Sequence, residues 1–160
     1  MEVSVIISYY KNINNLDLIL RALNAQSSSN FEVIISEDDN NIETDEYLKN
    51  HTHTFDFPLF HLNQPVDDGF RKNMMLNKSI RASKGKTLVF IDCDCIPHKH
   101  FVKEFIKNSQ KGLILYGKRL MLGDKISKKI LKSKSLGYLH FVTLLFSDSE
   151  RVKEAYTVLC

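Results

Sequence analysis

The sequence predicts an α/β fold in which a mostly parallel sheet carries helices on both faces. Two short apolar runs, at 3–7 and 31–36, have the length and β-branched content of strands. Between them, apolar residues recur at the spacing of one helical face, at Leu16, Ile19, Leu20 and Leu23. Because the connections are short, this strand–helix–strand unit predicts that its two strands lie parallel.

Length and composition indicate one globular domain. The chain has 160 residues, of which 43% are hydrophobic and 26% charged, close to the average for soluble proteins. A net charge of +3 does not by itself indicate a nucleic-acid partner. No apolar run reaches the length of a membrane span, and no basic-then-apolar leader is seen. Three cysteines, an odd number, favour a reducing compartment, so we expect a cytoplasmic protein.

The first strand, helix and second strand place polar residues at one edge of the sheet. The loop 8–15 carries Tyr10 and leads into the helix, for which Asn15 is the expected N-cap. The second strand runs directly into an acidic cluster formed by Glu37, Asp38 and Asp39. Because both strands are parallel, Tyr10 and the acidic cluster are expected beyond the same edge.

The remaining elements continue this alternation of helices and strands. The helix after position 70 should turn Met74, Met75 and Ile80 inward and end at Gly85 as its C-cap. That helix is predicted at 71–84, and the other predicted elements are a helix at 42–50, strands at 57–62 and 113–116, and helices at 98–110 and 149–156.

The stretch 86–97 contains the candidate metal site. The apolar run 88–91 predicts a strand buried on both faces, and Asp92 and Asp94 stand at its carboxyl end. Ligands of open α/β sheets bind at the carboxyl ends of strands. Two neighbouring carboxylates favour a cation, and a hard divalent ion that also holds phosphates needs only one or two of them. Alternatively, both are turn residues, or Asp94 caps the helix that follows.

These polar groups would together suit a nucleotide diphosphate. Tyr10 could stack on a base, the acidic cluster could accept hydrogen bonds from base or ribose, and Arg71 at a helix start could meet phosphate. Asp92 and Asp94 would hold the metal or the ribose. The first strand is not followed by a Gly-x-Gly-x-x-Gly or phosphate-loop pattern, which disfavours dinucleotide oxidoreductases and ATP-hydrolysing folds.

Four segments in this order resemble the inverting family 2 glycosyltransferases of the GT-A fold, a Rossmann-like architecture. They are 3–10, 31–39, 67–72 with Asn77 following, and 90–97. The last two segments are especially similar to a bacterial surface-polysaccharide branch related to chondroitin-polymerase-type transferases. The resemblance covers 1–120 well and 121–160 loosely.

The resemblance implies an activity and a set of site residues. Such enzymes move a sugar from a nucleotide diphosphate donor, here a UDP-sugar by preference, to an acceptor hydroxyl with inversion, aided by Mn²⁺ or Mg²⁺. Tyr10, Glu37 and Asp38 match positions that contact the nucleotide, although the family often has Asp where Glu37 stands. The remaining matches are Arg71 near the diphosphate, Asp92 at the donor and metal, and Asp94 as the preferred direct metal ligand.

The family's general base follows the Asp-x-Asp strand, and no segment here resembles its surroundings. The later carboxylates are Glu104, Asp124, Asp148, Glu150 and Glu154. We therefore expect 1–120 to be a nucleotide-sugar-binding core and 121–160 the start of a shortened, helical acceptor half. The alternative function is a catalytically incomplete nucleotide-binding remnant or regulatory module. A nucleotidyltransferase is disfavoured because the loop 8–15 has no glycine.

Two further patterns leave alternatives open. The basic run 118–134 beside the apolar run 136–146 is either a solvated face with a core helix, a contact with an anionic membrane at its inner face, or a homodimer contact. The membrane alternative would suit a glycan or lipid-linked acceptor. Cys93 and Cys95 are expected to be small buried spacers, and the scattered histidines to be solvated loop residues rather than zinc ligands.

Overall fold

A four-stranded parallel sheet forms the centre of the structure, which confirms the predicted α/β class. Its strands are β1 (Val3–Tyr9), β2 (Phe31–Glu37), β3 (Leu59–Leu62) and β4 (Thr87–Asp92). They lie in the order β3-β2-β1-β4, and every neighbouring pair is parallel.

The computed structural model describes residues 1–150 and 152. The chain divides into two compact units, Met1–Ile114 and Leu115–Cys160. The first unit contains the sheet and the second is helical. The predicted division at 120/121 assigned functions to the two parts, and that assignment stays a prediction.

One face of the sheet carries the main apolar core. Side chains at odd positions of β1 and β2 pack there against α1 (Ile13–Asn24), α2 (Ile42–His51) and α4 (Phe101–Asn108). The predicted α1 stripe is confirmed, since Leu16, Ile19, Leu20 and Leu23 are buried in this core. The predicted N-cap is wrong, because the cap is Asn12, whose side chain accepts a hydrogen bond from the Asn15 backbone N–H. The helix thus begins a turn earlier than expected.

The opposite face is covered by α3 (Lys72–Ala82), which packs against β1 and β2. Met75 is buried as predicted, but Met74 and Ile80 are partly exposed, at 45% and 38%. Gly85 is not the C-cap, which is Ser83. Instead, the Gly85 N–H donates to Ser4 Oγ at 2.8 Å, and a side chain at Gly85 would collide with the β1 backbone.

β4 is an edge strand, so the prediction that it is buried on both faces is wrong. Among the described residues only β1 pairs with it, and Phe90 is 49% exposed. The predicted strand at 113–116 is also wrong, because among the described residues no strand pairs with it and Ile114 is 94% exposed. A strand needs a neighbour for its backbone groups, which the pattern of one segment cannot supply.

The second unit contains α5 (Asp124–Ser133) and α6 (Phe141–Leu145). Ile126 and Ile130 anchor α5, while an isolated bridge pairs Met121 with Glu150. Short 3-10 turns lie at Thr52–Thr54 in the first unit and at Leu136–Leu139 in the second. The predicted helix at 149–156 falls mostly outside the described residues. Within the described part, no helix is long and apolar enough to span a bilayer.

Candidate functional site

The carboxyl ends of three adjacent strands lie level with one another. Ser8 on β1 pairs in register with Ser36 on β2 and with Asp92 on β4. Since side chains alternate along a strand, these three lie on the face covered by α3. Ser36 is buried there, and its hydroxyl has no hydrogen-bond partner among the described residues. Tyr9 and Glu37 occupy the next rung and turn to the opposite face.

Glu37 is fully buried beneath α2. Its carboxylate accepts hydrogen bonds from Thr44 Oγ1 at 2.9 Å and pairs with His61 Nε2 at 2.6 Å. The Tyr9 hydroxyl lies 3.1 Å from the same Thr44 oxygen, and burial raises the pKa of Tyr9 to about 12. This carboxylate joins β2 to α2 and β3 and has no exposed surface. Its contact with a nucleotide stays a prediction.

Asp38 is nearly buried and organises the loop that leads into α3. Its two carboxylate oxygens accept the Arg71 backbone N–H at 2.9 and 3.1 Å, and Oδ1 also accepts from the Gln64 side-chain amide. The Asp38 N–H donates to the Tyr9 carbonyl at 2.9 Å. A carboxylate at this position accepts hydrogen bonds from backbone N–H groups, and the positive end of the helix dipole stabilises its negative charge.

Tyr10 and Lys11 form the exposed rim of this edge. Tyr10 is 53% exposed, and the Lys11 ammonium lies 4.7 Å from its ring centre. Lys11 Nζ also contacts Asp67 Oδ2 at 2.6 Å and Asp39 Oδ2 at 3.7 Å. The hydrogen bond from Lys11 lowers the pKa of Asp67, and its counterpart raises the pKa of Lys11. This network ties the loop after β1 to the loop before α3.

The two cations at the start of α3 point to different partners. The Arg71 guanidinium bonds Asp68, through its carboxylate and, at 3.0 Å, its backbone carbonyl. Lys72 Nζ reaches across to Asp92 Oδ1 at 2.6 Å. The sequence-based prediction gave a role here only to Arg71. Arg71 is the non-helical N-cap of α3, with φ −125° and ψ 26°, whereas Lys72 is the first helical residue.

Asp92 and Asp94 lie in a tight turn that continues from β4. The Cys93 N–H donates to Ser8 O at 3.1 Å, and the Cys95 N–H closes the turn onto Asp92 O at 3.0 Å. Both aspartates are exposed. A turn at these residues is compatible with the predicted metal site, which stays a prediction. The capping alternative is wrong, because α4 begins at Phe101 with His100 as its N-cap.

The chemistry of this turn fits a hard cation better than a soft one. Burial raises the pKa of Cys93 to about 12, and its side chain packs against the main core rather than beside the two carboxylates. No group of three or more His, Cys, Asp or Glu side chains converges anywhere in the described part of the chain. Two exposed carboxylates suffice for Mg²⁺ or Mn²⁺ only when water and phosphate oxygens complete the shell.

Comparison with known proteins returns one family and one fold. The family model described as glycosyl transferase family 2 matches residues 4–153. Comparison with curated proteins returns no match.

Similar solved structures include S. aureus TarS 1-349, with 18% identity and a TM-score of 0.59 over 76% of this chain and 41% of that one. The same protein in complex with UDP has 19% identity and a TM-score of 0.59, covering 72% of this chain and 38% of that one. The mannosyltransferase PcManGT from Pyrobaculum calidifontis, in complex with GDP-Man and Mn²⁺, has 20% identity and a TM-score of 0.54, covering 60% and 28%. The chain thus spans less than half of each of these structures.

Proposed function

Because the chain belongs to glycosyl transferase family 2, we propose that it forms the donor-binding part of a transferase that uses a nucleotide diphosphate sugar. The sugar would pass to an acceptor hydroxyl with inversion, in the synthesis of a polysaccharide or another glycoconjugate. Solved proteins of similar fold are described in complex with UDP, UDP-GlcNAc, or GDP-Man with Mn²⁺. These ligands support a nucleotide-sugar donor here, with UDP as the first one to test.

The observation that carries the proposal is the shared rung of Ser8, Ser36 and Asp92 beside the start of α3. The exposed Tyr10 ring follows β1 at this edge, and the exposed Asp92 and Asp94 lie at and just beyond the end of β4. Ligands of open α/β sheets bind at this edge, and the first turn of a helix favours a diphosphate.

We give Tyr10, Asp38 and Arg71 roles at the donor, and the buried Glu37 a supporting role instead of a nucleotide contact. The half-exposed Tyr10 ring stacks on the base, and Asp38 contacts the base while holding the Arg71 backbone N–H. Arg71 supplies a positive charge to the diphosphate. To do so, its guanidinium has to leave its exposed ion pair with Asp68. Glu37 supports this surface from the opposite face through Thr44.

A divalent ion would be held by Asp94, with Asp92 beside it. Both side chains are exposed and offer the oxygen donors that Mn²⁺ and Mg²⁺ prefer. When bound, such an ion neutralises the charge of the leaving diphosphate. The chain's own contribution is to hold both carboxylates at one turn, through the backbone bonds of Cys93 and Cys95.

Calorimetric titration tests the proposal directly. UDP is titrated into the 160-residue chain with Mn²⁺ and with chelator, for the wild type, Asp94→Ala and the matched control Glu46→Ala, an exposed acid on α2. We expect metal-dependent binding that is lost only in Asp94→Ala. Absence of binding by UDP, GDP and dTDP alike would contradict the donor-binding role. Transfer or metal-dependent release of the sugar would then separate an enzyme from a nucleotide-binding remnant.

The second unit supports a further proposal, contact with an anionic membrane at its cytoplasmic face. Four exposed lysines recur at the spacing of one face of α5, while Ile126 and Ile130 are buried on another. They are Lys125, Lys128, Lys129 and Lys132. Clusters of this size attract acidic lipids, which would keep the chain near a glycan or lipid-linked acceptor. The competing proposals are a solvated face and a homodimer contact.

A further inference from the structure

The Lys72–Asp92 ion pair lies at the carboxylate where the proposed metal would bind. Lys72 is the first residue of α3, and Asp92 is the last residue of β4. Nζ lies 2.6 Å from Oδ1, and the two side chains are 36% and 49% exposed. The Lys72 side chain therefore already neutralises the Asp92 carboxylate, one of the two carboxylates of the proposed metal site.

We propose that Lys72 is a positioning residue. Its ammonium occupies the Asp92 carboxylate when no metal is bound, and this couples metal binding to donor binding. An ammonium and a divalent cation on one carboxylate repel each other, so the metal has to displace Lys72. A bound diphosphate would offer the displaced ammonium a new anionic partner. The donor-free chain should then bind metal weakly, and metal and nucleotide should bind together. This inference rests on the proposed nucleotide diphosphate binding.

The structure makes such an exchange easy for Lys72 and harder for its neighbour. The start of α3 is fixed because the Arg71 backbone N–H is held by both oxygens of Asp38. The Lys72 ammonium extends from this fixed point on a flexible four-carbon stem and carries a compact charge. Arg71, by contrast, is bound to Asp68 through two groups of its guanidinium. Exposed ion pairs such as Lys72–Asp92 are weak, so a ligand can replace them.

A second lysine–carboxylate pair provides a matched control at the other end of the sheet. Lys86 Nζ lies 2.8 Å from Glu2 Oε1, also at the surface, where the Thr87 N–H donates to Glu2 O. Lys86→Met and Lys72→Met remove the same charge and the same kind of ion pair. Only Lys72→Met removes it at the carboxyl edge.

The test measures Mn²⁺ binding to the nucleotide-free chain, by the loss of the electron paramagnetic resonance signal of the free ion. We expect Lys72→Met to bind Mn²⁺ roughly two- to fivefold more tightly than the wild type, the range set by an exposed ion pair. Lys86→Met should leave the affinity unchanged, and Asp92→Asn should weaken it in either background. In Lys72→Met, UDP should increase the Mn²⁺ affinity by a smaller factor than in the wild type.

The outcomes separate this inference from the donor-binding proposal. If the wild type binds UDP with Mn²⁺ but Lys72→Met has unchanged Mn²⁺ affinity and unchanged coupling, the role of Lys72 is refuted while the donor site stands. If Lys72→Met tightens Mn²⁺ but no nucleotide binds to any variant, competition at Asp92 is supported and the donor site fails. If no variant binds Mn²⁺, or Lys86→Met tightens it equally, the inference is overturned.

Discussion

Replacing Glu37 by Ala separates a supporting role of this carboxylate from direct contact with a ligand. The side chain is fully buried and holds Thr44 on α2 and His61 on β3. Removing it leaves the Thr44 hydroxyl and the His61 ring without their shared acceptor. The fold around the end of β2 should lose stability, while the surface beside α3 should keep its shape.

The expected loss follows from two hydrogen bonds to a carboxylate acceptor. Each such bond contributes about 1.5–3 kcal/mol. His61 is 18% exposed at its side chain and can recover a bond to water, which reduces the total. We therefore expect Glu37→Ala to lower the free energy of unfolding by about 2–4 kcal/mol. Glu37→Gln, which keeps an acceptor for Thr44, should lower it by about half of that.

Urea unfolding measures these losses, and a second buried glutamate on the same strand provides the control. Glu32 lies at the other end of β2 and accepts from Ser4 Oγ and the Lys84 N–H, each at 2.6 Å. Glu32→Ala should lower stability to a similar degree. Neither Glu32→Ala nor Glu37→Gln should change the UDP affinity of the folded chain.

One result would refute this reasoning. If Glu37→Ala changed the free energy of unfolding by less than about 0.5 kcal/mol and abolished UDP binding, the carboxylate would contact the nucleotide directly. The alternation of side chains along β2 would then be wrong as the rule that assigns each residue at this edge to one face of the sheet.

Three further predictions concern the core, the sheet edge and the second unit. Burial raises the pKa of Tyr9 to about 12 in the folded chain, against about 10 in the unfolded chain. Because the unfolded chain loses this proton first as the pH rises, the free energy of unfolding should fall between pH 10 and 12 by up to about 3 kcal/mol. Tyr9→Phe should flatten that fall in urea titrations at several pH values. Ile6→Ala, in the core, should lower the free energy of unfolding by about 3 kcal/mol, and Phe90→Ala, half-exposed at the edge, by about 1 kcal/mol; equal losses would contradict the edge position of β4. The wild type should float with phosphatidylserine vesicles at low salt and not with neutral ones, and glutamine at the four α5 lysines should abolish this; no flotation of the wild type would remove the membrane proposal.

Local sequence patterns predicted most of the helices and strands of the first unit. The four strands and α1 were identified from apolar runs and helical spacing, and the parallel pairing of β1 and β2 from the short connections. The errors arose where structure depends on a partner. The exposure of Phe90 follows from the edge position of β4, and no strand in the described part of the chain lies beside the segment 113–116.

The sequence predicted the right edge of the sheet but not which side chains share a surface. Glu37 and Asp38 were grouped as one acidic cluster, yet the first is buried under α2 and the second holds the start of α3. Likewise, the sequence-based prediction gave a role only to Arg71, whereas it is Lys72 that reaches Asp92. Such distinctions depend on contacts between segments far apart in sequence, which composition and spacing do not encode.

Alternation of side chains also explains the spacing of the two aspartates around Cys93. The Cys93 N–H extends the ladder to β1, and its side chain packs against the main core, away from the two exposed carboxylates. Asp92 and Asp94 can share a surface because the residue between them is turned inward. Cys93→Ala should therefore keep metal-dependent UDP binding, at a cost of about 1 kcal/mol. Cys93→Asp places a charge in the core and should cost about 2–3 kcal/mol or turn the loop outward, which weakens Mn²⁺ binding. If Cys93→Asp instead strengthened Mn²⁺ binding without loss of stability in urea, the side chain at 93 would face the metal, and the two-carboxylate site would have to be redrawn with three.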